Sequence, residues 1–169
     1  MKFNAIVGNP PYQLTVNEAG KGLGAVPLYQ CFVTQGTKLE PKYLSMIIPS
    51  RWFSGGVGLD DFRKFMLDSP ETHVSKIFDF TDSKDCFPGV DINGGIMYFL
   101  YDNTRTGPCF YSNTTNGIKT TAVRNLNEFE IFIRRNEAVE IIHKIMKKGE
   151  KTLAIRLQVC YYKQAVASE

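Results

Sequence analysis

The sequence predicts an α/β fold in which a largely parallel sheet carries an antiparallel strand at its end. Three observations predict this fold. Short apolar runs end at Gly or Pro, as buried strands do, and segments with helical spacing separate the first three runs. The fourth run follows the third without a helix, which favours an antiparallel strand. The chain has 169 residues, 43% of them hydrophobic and 22% charged, so it can bury a core.

The first predicted strand is the run at residues 3–8, and Asn9-Pro10-Pro11-Tyr12 follows it directly. Two consecutive prolines cannot continue a sheet ladder, so the strand stops there. Residues 13–25 are polar and glycine-bearing and lack periodicity, which predicts a mobile loop. Residues 27–38 begin with Pro and have helical apolar spacing, so they predict the first helix.

Residues 43–48 predict the second strand, which Pro49 closes. A loop at residues 50–58 leads to a second helix at 60–67. Residues 74–80 and 94–101 predict the third and fourth strands.

The composition changes beyond Asp102. Residues 103–116 are rich in Asn, Thr and Gly, as a linker or a hairpin is, and residues 137–148 are amphipathic at helical spacing. We therefore predict a module boundary near residue 103, with one module at 1–102 and a second at 103–169.

Charge and cysteine spacing exclude several classes of protein. The formal charge of +3 is too small to indicate a nucleic-acid-binding protein by itself. No apolar run approaches the roughly 20 residues that cross a bilayer, and no signal peptide is recognisable, so we expect a cytoplasmic protein without a membrane partner. The four cysteines lie far apart without a C-x-x-C pair, which predicts neither a zinc site nor a disulfide framework.

The tetrapeptide Asn9-Pro10-Pro11-Tyr12 carries the sharpest functional signal. An exocyclic amine on an aromatic ring is a poor nucleophile because its lone pair is delocalised into the ring. Acceptors aimed at both N–H groups favour the pyramidal geometry that frees the lone pair, and an Asn side-chain oxygen and a proline-fixed carbonyl are suitable acceptors. The two prolines hold that carbonyl without adding competing N–H donors, and Tyr12 can stack on a base taken out of a duplex. The alternative is an ordinary tight turn.

Residues 3–12, FNAIVGNPPY, resemble the catalytic motif of the amino-group methyltransferases that use S-adenosyl-L-methionine. The resemblance implies that Asn9 and Pro10 accept the target amine and that Tyr12 stacks on the base. Similar NPPY sequences occur in methyltransferases that act on DNA adenine, on ribosomal RNA bases and on a protein glutamine amide. The motif alone therefore leaves the substrate open.

Later segments resemble the adenine-specific methylases of the Eco57I restriction-modification type. The similar segments are YLSMIIPSRWF at residues 43–53 and the stretch at 74–102. In that family a phenylalanine-containing phrase between two strands helps to line the pocket for the flipped adenine, which implies substrate-binding roles for Phe87, Pro88 and Gly89. Residues 125–145 resemble the segment that joins the catalytic domain to the target-recognition region. The resemblance implies S-adenosyl-L-methionine as cofactor and double-stranded DNA as partner.

The cofactor-binding part of that family is not recognisable in this sequence. The family binds its cofactor chiefly through an earlier half of the sheet, and by this comparison the chain begins at the fourth strand. The glycine clusters at residues 20–24 and 55–58 do not follow strands as a nucleotide-binding turn does, and we interpret both as loops. The resemblance implies a partial Rossmann-like methyltransferase sheet, its catalytic half, with a small C-terminal extension. The cofactor-binding residues stay unknown.

Other candidate residues have ordinary interpretations. His73 and His143 are isolated, which predicts no metal site. Cys109 follows Pro108, in a pair that resembles the nucleophile of cytosine-ring methylases, but it lies in a polar segment, so we interpret it as a loop thiol. The aspartates between residues 77 and 92 lack the accompanying Lys of a nuclease metal site, and we assign them no metal.

Basic residues concentrate in the second predicted module. Arg134 and Arg135 are the predicted contacts to the DNA backbone, with a solvated helix face as the alternative.

We predict the catalytic, base-binding half of an adenine-N6 DNA methyltransferase from a restriction-modification system. We expect the chain to be inactive alone, and a second chain to supply the cofactor-binding half. Two alternatives are a non-catalytic DNA-binding or specificity subunit, and an amino-methyltransferase that acts on RNA or on a protein glutamine. An open sheet that lacks strands also exposes an edge, which predicts self-association.

Overall fold

The computed structural model describes residues 3–18, 21–56, 58–67, 73–129 and 131–147, without the side chains of residues 15–24. Six strands form one mixed sheet. Their order across the sheet is β1 (Ala5–Gly8), β4 (Tyr43–Pro49), β6 (Ile96–Asp102), β5 (Val74–Phe80), β7 (Cys109–Thr115) and β8 (Ile118–Arg124). A separate hairpin pairs β2 (Gln13–Glu18) with β3 (Lys21–Pro27). The helices are α1 (Tyr29–Lys38), α2 (Asp60–Leu67) and α3 (Asn136–Lys147).

The predicted α/β class is confirmed, but the predicted place of the antiparallel strand is wrong. Strand β6 does not lie at the end of the sheet; it lies between β4 and β5 and is antiparallel to both. Its apolar composition explains this central place, because Ile96, Met97 and Phe99 are all fully buried. A strand at the edge of the sheet would leave more of these side chains in water.

The prediction of a loop at residues 13–25 is also wrong, since this segment forms most of the β2–β3 hairpin. Gln13 pairs with Pro27, and Leu14 pairs with Val26. The sequence QLTVNE does alternate apolar and polar residues, but the glycine-rich partner arm obscures the signal.

The segment predicted as a linker or a hairpin at residues 103–116 contributes strand β7 of a hairpin. Strands β7 and β8 meet at Asn116-Gly117, where both residues have positive φ, the backbone that Asn-Gly hairpin turns require. Strand β7 pairs in parallel with β5. The sheet therefore continues past residue 103, and the predicted module boundary does not separate two sheets.

The core lies on one face of this sheet. Strand β4 directs Leu44, Met46 and Ile48 to that face, where Val33 and Gly36 of α1 pack. The absence of a side chain at Gly36 lets α1 approach closely, because a Cβ there would lie 3.2 Å from the Leu44 side chain. Among the described helices, none has the length and apolar character that crossing a membrane requires.

Most of the described core side chains lie on that face, whereas Ile96, next to Met97 in β6, is buried on the opposite one. The strand register aligns one residue from each strand into a row across this face, namely Val7, Ser45, Leu100, Lys76, Phe110 and Val123. The two ends of the row, Val7 and Val123, are 80% and 71% exposed. We call this surface the open face.

Candidate active site

The NPPY motif lies where β1 ends, at the carboxyl edge of the sheet. Strand β1 runs parallel to β4, so the end of β4 reaches the same edge, which is where open α/β sheets bind ligands. Pro10 is buried, Asn9 and Pro11 are exposed, and Tyr12 is half-buried. The Tyr12 carbonyl accepts a hydrogen bond of 3.0 Å from the Leu28 N–H. The residue that precedes α1 therefore fixes the end of the motif.

A cavity of about 530 Å³ opens beside Tyr12. The β2–β3 hairpin and the start of α1 form one side of it, and Tyr29 belongs to that side. Arg51, directly after β4, and the residues at 91–93 form the other side. The volume falls within the range of roughly 300–1,000 Å³ that is typical of small-molecule sites. A single purine base is small enough to enter it.

The loop between β5 and β6 contains the predicted pocket residues Phe87, Pro88 and Gly89. Phe87 is half-buried, whereas Pro88 and Gly89 are exposed. All three lie on the predicted loop, but the residues that line the cavity are those at 91–93. The wall of the cavity is thus a few residues farther along the chain than the residues that the resemblance implies.

The side chain of Ser83 is hydrogen-bonded to the backbone of this loop. Its buried hydroxyl donates to the Val90 carbonyl at 2.7 Å and accepts from the Ile92 N–H at 2.8 Å. The backbone on both sides of Asp91 is therefore tied to one side chain, which fixes the cavity wall.

Polar side chains of the NPPY motif and of the loop between β5 and β6 also interact. Burial raises the pKa of the Tyr12 hydroxyl, the nearby Cys86 thiol adds to the rise, and a hydrogen bond with Asn9 lowers it. Burial likewise raises the pKa of Cys86. Like an ordinary tyrosine, Tyr12 is uncharged at physiological pH, and the rise in its pKa acts in the same direction.

A buried carboxylate lies at the same edge of the sheet. Asp79, near the end of β5, is 1% exposed. It accepts hydrogen bonds from the Ser50 hydroxyl, the Tyr111 hydroxyl and the Asn113 amide, each of 2.8 Å. Arg134 binds both carboxylate oxygens, through Nε at 2.8 Å and Nη2 at 2.7 Å. We call these five residues the Asp79 cluster.

The geometry of Arg134 does not fit its predicted role at the DNA backbone. Two edges of its guanidinium are already bound, since Nη1 donates to the Gly94 carbonyl at 2.8 Å in addition to the pair with Asp79. A long basic side chain is expected to reach outward, but a fully buried carboxylate draws in the cation instead. Arg135 is exposed, so its predicted contact with DNA stays a prediction.

Cys109 is not in a loop as predicted; it begins β7 and is fully buried. Burial raises its pKa to about 12. A thiol with this pKa is not a nucleophile at neutral pH. In the part of the chain that the structure describes, no three His, Cys, Asp or Glu residues come together to hold a metal ion.

The described residues do not fit S-adenosyl-L-methionine by themselves. A nucleoside cofactor needs an acidic side chain for its ribose hydroxyls. The cavity beside Tyr12 offers Asp91, which is engaged by Lys84 at 3.1 Å. Among the described residues that line this cavity, no other carboxylate is available for such hydroxyls.

Sequence reasoning missed the roles of Asp79, Ser83 and Arg134. A signal for Asp79 was present, because the alternation along β5 places it on the same side as the buried Ile77. A carboxylate on a core-facing position requires a cation, and that cation lies 55 residues away in the chain. No local pattern identifies such a distant partner.

The chain is similar in sequence to known proteins. A family profile described as Eco57I restriction-modification methylase matches residues 1–87. A Mycoplasma pneumoniae protein described as an uncharacterized adenine-specific methylase is 44% identical over 111 residues, which cover 63% of this chain and 25% of that protein. The type II methyltransferase M.PstI of Providencia stuartii is 30% identical over 166 residues, which cover 90% of this chain and 32% of that protein. The chain thus spans about a quarter to a third of the length of these relatives.

A solved structure supports the fold. A chain from a study of complex assembly and conformational transition in a type I R-M system aligns with a TM-score of 0.50 at 11% identity. The alignment covers 96% of this chain and 45% of that chain. The described fold therefore matches about half of a larger chain.

Proposed function

Because the chain belongs to the Eco57I restriction-modification methylase family, we propose that it supplies the catalytic, base-binding half of an adenine-N6 DNA methyltransferase. One observation carries this proposal. The Asn9-Pro10-Pro11-Tyr12 motif ends β1 directly beside a cavity of about 530 Å³ that Tyr12 and the loop before β6 line together. Double-stranded DNA is the proposed partner, and the cytoplasm, where cellular DNA is accessible, is the proposed location.

The residues of this chain orient the target amine. The side-chain oxygen of Asn9 and the carbonyl of Pro10 accept the two N–H groups of the adenine amine, which frees its lone pair. Pro11 has no N–H and leaves the Pro10 carbonyl available for the amine. Tyr12 stacks on the base, and the loop that carries Phe87 closes the pocket through its residues 91–93. S-adenosyl-L-methionine, when the complete domain binds it, supplies the methyl group.

The edge of β1 offers a place for the cofactor-binding half. The Tyr43 N–H donates to the Asn4 carbonyl, and in a parallel ladder this pattern turns the backbone groups of Ala5 and Val7 away from β4. Those outward groups can pair with a further strand. We propose that a further stretch of methyltransferase polypeptide, on a second chain or in the same one, pairs there and completes the sheet.

A methyl-transfer assay tests the proposal. The chain is incubated with labelled S-adenosyl-L-methionine and adenine-containing duplex DNA, alone and mixed with the part of the Mycoplasma pneumoniae relative that lies outside the matched stretch. We expect no transfer by the chain alone and N6-methyladenine from the mixture. In the mixture, Asn9→Ala lowers the rate by about 100-fold, the effect of losing one polar contact to the reacting group.

The matched control is Asn4→Ala, which removes an exposed Asn from the other end of β1 and leaves the rate unchanged. Transfer by the chain alone contradicts the proposed half-domain, and an active Asn9→Ala mixture contradicts the role of Asn9. DNA binding without transfer in any mixture supports a specificity subunit instead. Structured RNA and a glutamine-containing peptide are tested as competing substrates. Methylation of either one in place of DNA supports the alternative of an amino-methyltransferase that acts on RNA or on a protein glutamine.

A further inference from the structure

Two members of the Asp79 cluster, Arg134 and Ser50, are hydrogen-bonded to the turn that leads to the wall of the base pocket. Arg134 binds both oxygens of Asp79 with Nε and Nη2, and its remaining Nη1 donates to the Gly94 carbonyl. Asp79 already accepts from Ser50, Tyr111 and Asn113, so the bond to Gly94 adds nothing to the neutralisation of this carboxylate. It ties the guanidinium to the turn before β6.

That turn requires glycine at two positions. Gly94 and Gly95 both have positive φ, and a Cβ at Gly95 would lie 2.2 Å from the Phe80 carbonyl oxygen. The Gly95 N–H donates to the Ile92 carbonyl, and the Gly95 carbonyl accepts from the Ser50 N–H. The turn is therefore held between Ser50 on one side and Arg134 on the other.

The same turn ends in the cavity wall, because Ile92 and Asn93 line the cavity beside Tyr12. Arg134 comes from a distant part of the chain, two residues before α3, and the exposed Arg135 follows it. A planar guanidinium with three bound nitrogens fixes geometry more closely than a point charge does. Arg134 therefore links the segment that leads into α3 to the turn that ends in the wall of the base pocket.

We propose that Arg134 is a positioning residue that couples the segment leading into α3 to the wall of the base pocket. This inference rests on the proposed function for the identity of the pocket and on the described contacts for the coupling. When the segment is seated, Arg134 holds the turn at residues 92–95 in the shape that accepts a flipped adenine. When Arg134 is released, the turn loses one of its two anchors and the pocket widens.

Two variants separate positioning from plain stability. Arg134→Lys keeps a positive charge for Asp79, but one ammonium group cannot reach both carboxylate oxygens and the Gly94 carbonyl in the same fork. Tyr111→Phe is the matched control, because it removes one hydrogen bond to the same Asp79 and leaves the Gly94 contact intact. Both variants weaken the cluster, and the first alone disturbs the turn.

The first measurement is amide hydrogen exchange in the free chain. Arg134→Lys is expected to raise the exchange rates of the Gly95 and Ser50 amides by about 10-fold or more relative to the Met97 and Phe99 amides in the centre of β6. Tyr111→Phe is expected to change all four rates by the same factor. A uniform change in Arg134→Lys overturns the proposed coupling.

The second measurement is binding of the single strands (dA)12 and (dT)12, which share their phosphates and differ in the base. We expect Arg134→Lys to lower the preference for (dA)12 by about 10-fold, and Tyr111→Phe to retain that preference. If the unmodified chain shows no preference for adenine, the proposed function fails while the exchange measurement still decides the coupling. If Arg134→Lys keeps the full preference, the coupling to the pocket is overturned.

Discussion

The two edges of the main sheet are built differently. Strand β1 has the sequence Ala-Ile-Val-Gly, without a charge or a proline, and its Val7 is 80% exposed. Strand β8 exposes a valine to a similar extent, Val123 at 71%, but it also contains Lys119 and Arg124. Charged residues on an edge strand, above all inward-pointing ones, are the usual protection against further strand pairing.

Arg124 is such an inward-pointing charge. It is 6% exposed, donates to the Ile133 carbonyl at 2.6 Å and lies over the Phe132 ring at 4.6 Å. Burial lowers its pKa from the ordinary value, yet an arginine stays charged throughout the physiological range. The segment that precedes α3 is thereby bound to β8, whereas nothing comparable is described on β1. This difference supports the proposal that a further strand pairs at β1 rather than at β8.

The largest expected effect concerns Cys109, which lies beside β8, the edge strand that contains Arg124. Cys109 on β7 is buried beside β8 with a pKa of about 12, whereas Cys31 on α1 is exposed. Because the thiolate is the reactive form, a pKa that is raised this far leaves Cys109 protonated at every pH below about 11. At pH 8 we expect Cys109 to react with iodoacetamide at least about 1,000-fold more slowly than Cys31. Peptide mass spectrometry after timed labelling measures both rates, and equal rates would show that the β8 side is open.

The next prediction concerns the edge strand β1. Val7→Pro removes an outward N–H that does not pair with β4, so the isolated chain is expected to fold, as prolines on edge strands allow. Association of a further strand at β1 is expected to weaken by about 100-fold, or about 3 kcal/mol, through the lost donor and the bulk of the ring. Titration with the part of the Mycoplasma pneumoniae relative that lies outside the matched stretch measures this loss. Ile6→Pro is the contrasting variant, because the Ile6 N–H faces β4 and its loss is expected to unfold β1.

Arg124→Ala is expected to remove the protection of the β8 edge against further strand pairing. It removes the bond to Ile133 and the contact with the Phe132 ring, which lowers the free energy of unfolding by about 2–3 kcal/mol. Urea unfolding followed by tryptophan fluorescence measures the change, since Trp52 is fully buried. Light scattering on the same samples should then detect new self-association through β8. An unchanged midpoint would contradict the protective role of Arg124.

The smallest expected effect comes from a matched pair on the open face. Val7→Lys and Val123→Lys place the same charge at the two ends of one row. We expect Val7→Lys to lower the affinity of the added segment by about 10-fold, because the incoming polypeptide covers the β1 end of the face. Val123→Lys is expected to leave the affinity unchanged, and both variants should keep the stability of the parent within about 0.5 kcal/mol. Equal effects on affinity would remove the distinction between the two ends.

The sequence predicted those features that depend on local pattern. The apolar runs of β1, β4, β5 and β6 and the spacing in α1, α2 and α3 were sufficient to place these elements. The Asn-Gly pair at residues 116–117 carries the signal for the β7–β8 hairpin, but the polar composition around it left a linker open. The place of β6 between β4 and β5 depends on which strand gains most from burial, and that comparison involves the whole sheet.

The candidate site divides in the same way. Roles for Asn9, Pro10 and Tyr12 were proposed from the chemistry of the amine and from the resemblance, and they stay predictions. The wall at residues 91–93 and the inward turn of Arg134 depend on contacts across 9 and 55 positions of the chain, which no local pattern contains. A local motif can therefore suggest the groups that contact the base, but not the residues that hold the cavity in shape.

We propose that this chain is a base-binding half of a methyltransferase domain and that a further strand completes it at β1. Calorimetric titration of S-adenosyl-L-methionine tests this proposal, first into the chain alone and then into the chain mixed with the part of the Mycoplasma pneumoniae relative that lies outside the matched stretch. We expect no binding heat from the chain alone, binding in the micromolar range from the mixture, and no heat when the chain in the mixture carries Val7→Pro. Micromolar binding by the chain alone would overturn the proposal, because it would require a cofactor site within this half of the domain.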